Sequence, residues 1–320
     1  MCALTPTPYP RKVTPYYSGL AGSSAPDPVA LQFEPGPGEQ DSTGDTDPLG
    51  ETEGCALPGL VHVYRDRVLL LPTEVCFVNC RHCNRRWRRV GASSRFSKET
   101  LESWLGYLRE HPEVEDVLVT GGDPLTMPDR DIEQLLSGLR SGGHTGVIRI
   151  GTRAPCVEPE RVSPALARML SRFHPLFVNV QFNCVPECTP AARGALEVLA
   201  DAGIPLGNQM VLLAGVNDSA AKIAAVSRFL VSSRCRPYYL FLPERVAGTS
   251  AFWVSPRRAL EIASELRRSC SGLAMPSVVV DTPAGGGKVP IESGRCSVSG
   301  EVLTVVDNLG RKVVLDYTRS

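Results

Sequence analysis

Residues 68–83 read Val-Leu-Leu-Leu-Pro-Thr-Glu-Val-Cys76-Phe-Val-Asn-Cys80-Arg-His-Cys83, an apolar strand-sized run that ends on three cysteines. Strands that deliver reactive side chains to the loop at their C-terminal end are the working unit of parallel α/β folds. Further strand-like runs follow at 115–122, 146–153, 176–183, 206–213 and 237–244. Amphipathic stretches such as SKETLESWLGYLREH and TPAARGALEVLADAG lie between them, opened by Ser, Thr or Asp as N-caps are. Six strands, each followed by a helix, predict parallel β/α units. Right-handed crossovers curl such a sheet toward a barrel, and six units fall short of the eight of a full one. The expectation is an α/β fold, a partial (β/α)6 barrel with one open side. An open doubly wound sheet is the alternative.

On the N-terminal side, residues 1–58 are rich in Pro, Gly, Ser, Thr and acids and lack periodicity, which predicts a partly disordered extension. Its late part, from DPLGE to VYRDR, is a candidate to pack on the core. The barrel is expected over 59–275. A C-terminal segment, 276–320, holds VVVDTPAGGGKVPI (278–291) and a hairpin turning at Asn308–Gly310.

The 320 residues are 42% hydrophobic, and 34 Lys and Arg balance 34 Asp and Glu. That balance argues against nucleic-acid and membrane surfaces, which carry a basic excess. The N-terminus lacks the apolar core of a secretory signal, and no apolar run approaches a membrane span. A soluble, cytoplasmic protein is expected. Eleven cysteines, three of them within eight residues, suit reduced thiols and a metal or cluster better than disulfides.

Three thiolates on one loop can hold three irons of a four-iron four-sulfur cubane. The fourth iron is left for a chelating amino acid group, and S-adenosylmethionine (SAM) carries one. A zinc site would need a fourth ligand, and His82 beside Cys83 is poorly placed for the same tetrahedron. A cluster of buried thiols is a third reading, disfavoured by the flanking Arg and Asn. Gly121-Gly122-Asp123 ends the second strand, where close backbone approach and an acid can hold the SAM ammonium.

RHCNRRW, VLVTGGDPL, RIGTRAP, DAGIPLGNQMVLLAGVND, RPYYL and VVDTPAGGGKVPI together resemble the lysine 2,3-aminomutase family, in the family's order over roughly residues 45–295. The resemblance implies a radical SAM type partial barrel with three cofactors: a 4Fe–4S cluster on Cys76, Cys80 and Cys83, SAM, and pyridoxal 5′-phosphate (PLP). Lys288 matches the lysine that joins PLP. Arg85 matches the arginine for the substrate α-carboxylate, a task suited to a bidentate guanidinium. Asp281 matches one of two acids that bind the substrate's terminal ammonium. Glu244 takes the place of the other, which is Asp in lysine mutases.

The implied reaction is a 2,3-amino shift on a basic L-amino acid, begun by a 5′-deoxyadenosyl radical. The extra methylene of Glu244 suits a wide guanidinium, so L-arginine is expected slightly ahead of L-lysine. The family's Cys-rich zinc tail has no counterpart, since only Cys296 follows Lys288. A homo-oligomer would then form without that tail. The length, and the segment PERVAGTSAF, also resemble relatives that act on a lysine of elongation factor P. An electron donor such as flavodoxin or ferredoxin is implied. A reading of another class is a non-catalytic iron–sulfur protein, disfavoured by the presence of Lys288, Arg85 and Gly121–Asp123.

Overall fold

A computed structural model describes residues 9–23, 26–36, 38–88, 96–144 and 146–318. Ten strands form one sheet in chain order: β1 (Cys55–Leu57), β2 (Leu60–Tyr64), β3 (Arg67–Thr73), β4 (Asp116–Gly121), β5 (Val147–Gly151), β6 (Leu176–Val180), β7 (Leu206–Val211), β8 (Cys235–Phe241), β9 (Ser277–Thr282) and β10 (Gly287–Pro290). From β3 to β9 every neighbouring pair is parallel. Antiparallel partners flank this run, β1 and β2 at one edge and β10 at the other.

The six predicted strands are therefore all present, and β3 does not pair with β9, so the sheet is a partial barrel. It gains a seventh parallel strand, β9, in the segment expected to lie beyond the barrel. β1 falls where the sequence predicts no periodic structure.

Helices α2 (Lys98–Glu110), α3 (Asp129–Ser141), α5 (Pro164–Ser171), α6 (Pro190–Asp201), α7 (Ala220–Ser232) and α8 (Pro256–Ser269) fill the crossovers; the four-residue α4 (Ala154–Val157) shares the β5–β6 crossover with α5, and the four-residue α1 (Pro15–Ser18) precedes the sheet. Ser97, Ser163, Thr189, Ser219 and Ser255 each cap a helix by accepting from a backbone N–H three residues on. The helices supply Leu135, Leu166, Leu196, Ile223 and Ile262, all buried in one hydrophobic cluster with Val117, Ile148 and Val178 of the sheet. At about 25 cal/mol per Å² of apolar surface, burial on this scale is the main term holding sheet and helices together.

The N-terminal segment is also part of the core: Tyr17, Val29 and Phe33 are buried in it. The expected disorder falls, at 1–8, 24, 25 and 37, outside the described residues. A separate sheet, β11 (Cys296–Ser299), β12 (Val302–Val306) and β13 (Lys312–Asp316), closes the chain. Its second hairpin turns through Asn308–Gly310, where Gly310 takes a left-handed φ of 78°. Among the described residues no helix is long and apolar enough to cross a membrane.

Candidate active site

The strand ends enclose a cavity with about 1890 Å³ of atom-free space, its open mouth included. Cys76, Cys80, Cys83, Arg85, Gly121, Gly122, Asp123, Glu244, Asp281 and Lys288 all line it. Residues 212 positions apart in sequence thus share one chamber, because a parallel sheet brings all its C-terminal ends to one side.

The cysteine loop is seated on the Gly-Gly pair. Gly122 N donates to Thr73 O and Asp123 N to Val75 O, each at 2.7 Å. A Cβ on Gly121 would meet Thr73 O at 2.7 Å, and one on Gly122 would overlap Val75 O. Gly121 also has a φ of 108°, outside the range of most side chains. The glycines thus allow the close backbone approach expected of them, and the backbone that approaches is the protein's own cysteine loop against β4. Asp123 is 4% exposed and ties β4 to β5, accepting from Thr152 Oγ1 at 2.7 Å and Arg153 N at 2.8 Å.

Lys288 and Asp281 are direct cross-strand partners of the β9–β10 hairpin, and Lys288 Nζ lies 2.7 Å from Asp281 Oδ2. Tyr64 Oη reaches Asp281 Oδ1 at 3.4 Å, and the Arg67 guanidinium covers the Tyr64 ring at 4.6 Å. Burial pushes the Tyr64 hydroxyl up to about 12, with the Asp281 charge adding to it. Burial would lower the Lys288 pKa, but Asp281 and Tyr64 outweigh it and hold the amine above its ordinary value. Gly285 and Gly287, with φ of 75° and 78°, build the hairpin turn. The Gly-rich run thus shapes the turn that leads into Lys288.

Glu244 stands in the same wall, its carboxyl raised to about 7 by burial and by the Asp281 charge. Arg85 is held by Glu51, with Nε and Nη2 both bonded to its carboxylate at 2.6–2.9 Å. Glu51 is 4% exposed and comes from the DPLGE segment, whose Asp47 accepts from Glu51 N at 3.1 Å and Thr52 N at 2.7 Å. The late part of the extension therefore packs on the core and contributes a side chain to the cavity.

Residues 70–225 match the Radical SAM superfamily. The L-lysine 2,3-aminomutase of Fusobacterium nucleatum is 42% identical over 282 residues, 87% of this chain and 66% of that protein. The L-lysine 2,3-aminomutase of Acetoanaerobium sticklandii is also 42% identical, across 87% of this chain and 68% of its own length. This chain belongs to the lysine 2,3-aminomutase family. The family also takes in the glutamate 2,3-aminomutase of Clostridioides difficile, 39% identical over 87% of this chain and 67% of that one. The chain spans about two thirds of the length of these relatives. A radical SAM methyltransferase from Sphaerobacter thermophilus shares the fold at a TM-score of 0.50 and 18% identity, over 70% of this chain and 69% of that one.

Membership of the aminomutase family brings a 4Fe–4S cluster, SAM and PLP as cofactors. The cavity fits them in its donor set. His82 Nδ1, Arg153 Nε and Asn179 Nδ2 line it, buried and without a hydrogen-bond partner in the protein, which a bound polar molecule would remedy. Cys76, Cys80 and Cys83 offer three thiols to a cluster, and the half-buried Lys288 offers an amine to the aldehyde. His82, the fourth ligand that a zinc reading would require, engages Gln181 and Asn183 through Nε2 at 3.2 and 3.5 Å.

Sequence reasoning missed Glu51, Tyr64, Arg67 and Arg153 as site residues. RIGTRAP and VYRDR did carry the last three, but a lone Arg or Tyr at or near a strand end gives no sign of which way it faces.

Proposed function

We propose that the protein is a radical SAM, PLP-dependent 2,3-aminomutase that moves the α-amino group of a free basic L-amino acid to its β-carbon, with L-arginine favoured over L-lysine. The observation that carries this reading is the acid pair Glu244 and Asp281 in the wall that holds Lys288. Two carboxylates there favour a cationic substrate end. The terminal carboxylate of a glutamate would face like charges in a desolvated cavity, at a cost of several kcal/mol.

In this reading Cys76, Cys80 and Cys83 bind three cluster irons. The strand end at Gly121, Gly122 and Asp123 receives the SAM ammonium. Lys288 would hold PLP through its amine, and Arg67, beside Tyr64 in the same cavity, would offer its phosphate a cation. When bound, the cofactors supply the radical and a π-system that delocalises the unpaired electron.

The chain's own residues bind and orient. Arg85, oriented by Glu51, takes the substrate α-carboxylate. Glu244 reaches one methylene further than Asp and pairs with a guanidinium edge. Asp281 holds the Lys288 ammonium in the wall and offers the second carboxylate to the substrate's cation.

The test is anaerobic turnover of the cluster-reconstituted protein with SAM, PLP and a reductant, offering L-arginine and L-lysine separately. β-Arginine as the main product supports the proposal. β-Lysine as the main product would overturn the arginine preference alone. SAM cleavage with neither product would move the substrate to a protein-borne lysine, and a protein that takes up no PLP would end the aminomutase reading.

A further inference from the structure

Arg153 follows β5 and is 7% exposed, yet none of the roles above uses it. Its Nη1 lies 2.8 Å from Cys80 Sγ. Its Nη2 donates to Gln32 Oε1 at 2.5 Å, Glu187 Oε1 at 2.8 Å and Tyr17 Oη at 2.9 Å. Tyr17 Oη donates in turn to Glu187 Oε1 at 2.6 Å, and Gln32 Nε2 to the same oxygen at 2.9 Å. The other Glu187 oxygen accepts from Asn183 N at 2.5 Å and Cys184 N at 3.0 Å. Arg153 and Glu187 thus form a buried ion pair that Tyr17 and Gln32 of the N-terminal segment bond on one side and the Asn183 and Cys184 backbone on the other.

That segment also grips the cysteine loop itself. Asn79 N donates to Lys12 O, and Asn79 Nδ2 to Pro10 O, each at 3.0 Å. Arg81 N donates to Gln32 O at 2.9 Å, and the Arg81 guanidinium pairs with Glu39. A buried ion pair is a costly way to gain stability. This one engages both terminal guanidinium nitrogens and both carboxylate oxygens and points a cation at a thiol sulfur, which fixes an orientation.

We propose that Arg153 is a positioning residue for the iron–sulfur cluster: held by Tyr17, Gln32 and Glu187, its guanidinium donates to the Cys80 sulfur and raises the cluster's reduction potential. The electron added to a cluster spreads onto its sulfur ligands, and a cationic N–H donor stabilises the reduced form more than the oxidised one. The N-terminal segment therefore sets how readily the cluster accepts its electron. The inference rests on Cys80 being a cluster ligand.

The experiment is a redox titration of the reconstituted full-length protein, without SAM or PLP, followed by the electron paramagnetic resonance signal of the reduced cluster. Arg153→Gln should shift the one-electron equilibrium about tenfold toward the oxidised form, a midpoint about 59 mV lower. Tyr17→Phe removes one oxygen from the network and should shift it the same way by roughly threefold, the scale of one hydrogen bond. An unchanged midpoint in Arg153→Gln carrying full iron would overturn the proposal. If that variant takes up no iron, an unchanged midpoint in Tyr17→Phe overturns it instead. A wild-type protein that takes up no four-iron cluster would sink the cysteine assignment itself, a result distinct from either.

Discussion

Lys288 and Asp281 face each other across the β9–β10 hairpin with Nζ and Oδ2 2.7 Å apart, so the residue expected to carry PLP already has a carboxylate partner. Seven residues of sequence separate them, and the hairpin register converts that spacing into direct contact.

The first prediction concerns this pair. Asp281 raises the Lys288 pKa, so Asp281→Asn should lower it and leave more free amine near neutral pH. Wild type should take up PLP increasingly as pH rises, and the variant should reach the same uptake at lower pH. Absorbance near the visible edge measures this, with Lys288→Ala as the blank. A variant curve displaced to higher pH would contradict the pairing.

Glu244 gives a pH dependence of substrate binding. Its carboxyl is raised to about 7, chiefly by burial, so below that pH it is mostly neutral and above it mostly ionised. A cationic substrate end binds the ionised form, so KM should fall as pH rises through about 7 and then level off. Glu244→Gln should flatten that profile and raise KM. A KM that climbs with pH in wild type would rule out this role.

Side-chain length at the same position should bear on substrate choice. Glu244→Asp withdraws the carboxylate by one methylene and should move the kcat/KM ratio of arginine to lysine roughly tenfold toward lysine, about the worth of one charge-assisted hydrogen bond. Competition between the two substrates in one reaction, resolved by mass, reads the ratio. An unmoved ratio would remove Glu244 from specificity.

Iron uptake separates the three loop cysteines from the rest. Cys76→Ser, Cys80→Ser and Cys83→Ser should each lose most of the cluster, while Cys235→Ser, buried away from the cavity lining, should retain it. Iron and sulfide content per chain, with the cluster's broad visible absorbance, decides the matter. Retention of four irons by any loop variant would reassign the ligands.

Arg85→Ala should raise KM roughly 10–100-fold, the range for losing a charged hydrogen-bonding partner. Glu51→Gln should act in the same direction more weakly, because Glu51 fixes the guanidinium without meeting substrate. A variant with lowered kcat and unchanged KM would place Arg85 elsewhere in the reaction.

The strand positions were legible because the runs carry apolar residues at alternate positions, as strands with one face in the core do: Val117 and Val119, Ile148 and Ile150, and Val178 and Val180 are all buried. Their ends were not. The run 176–183 stops as a strand at Val180, because side-chain amides take over the backbone's hydrogen bonds: Phe182 N donates to Asn208 Oδ1 at 2.7 Å and Val211 N to Asn183 Oδ1 at 3.1 Å. The N-terminal segment was hardest to read, since its anchoring depends on isolated residues such as Tyr17, Gln32 and Glu51 and on no periodic face.

The sequence by itself determined the β/α order, the cysteine spacing and the lysine seven residues beyond an acid, all local patterns fixed by spacing along one chain. Only the tertiary structure decided which groups pair: Arg85 with Glu51, Arg153 with Cys80 and Glu187, Asp281 with Lys288. Except for Asp281 and Lys288, these partners lie 34 to 73 residues apart. They meet because a curved parallel sheet gathers its strand ends into one cavity, where burial requires every charge to find a partner.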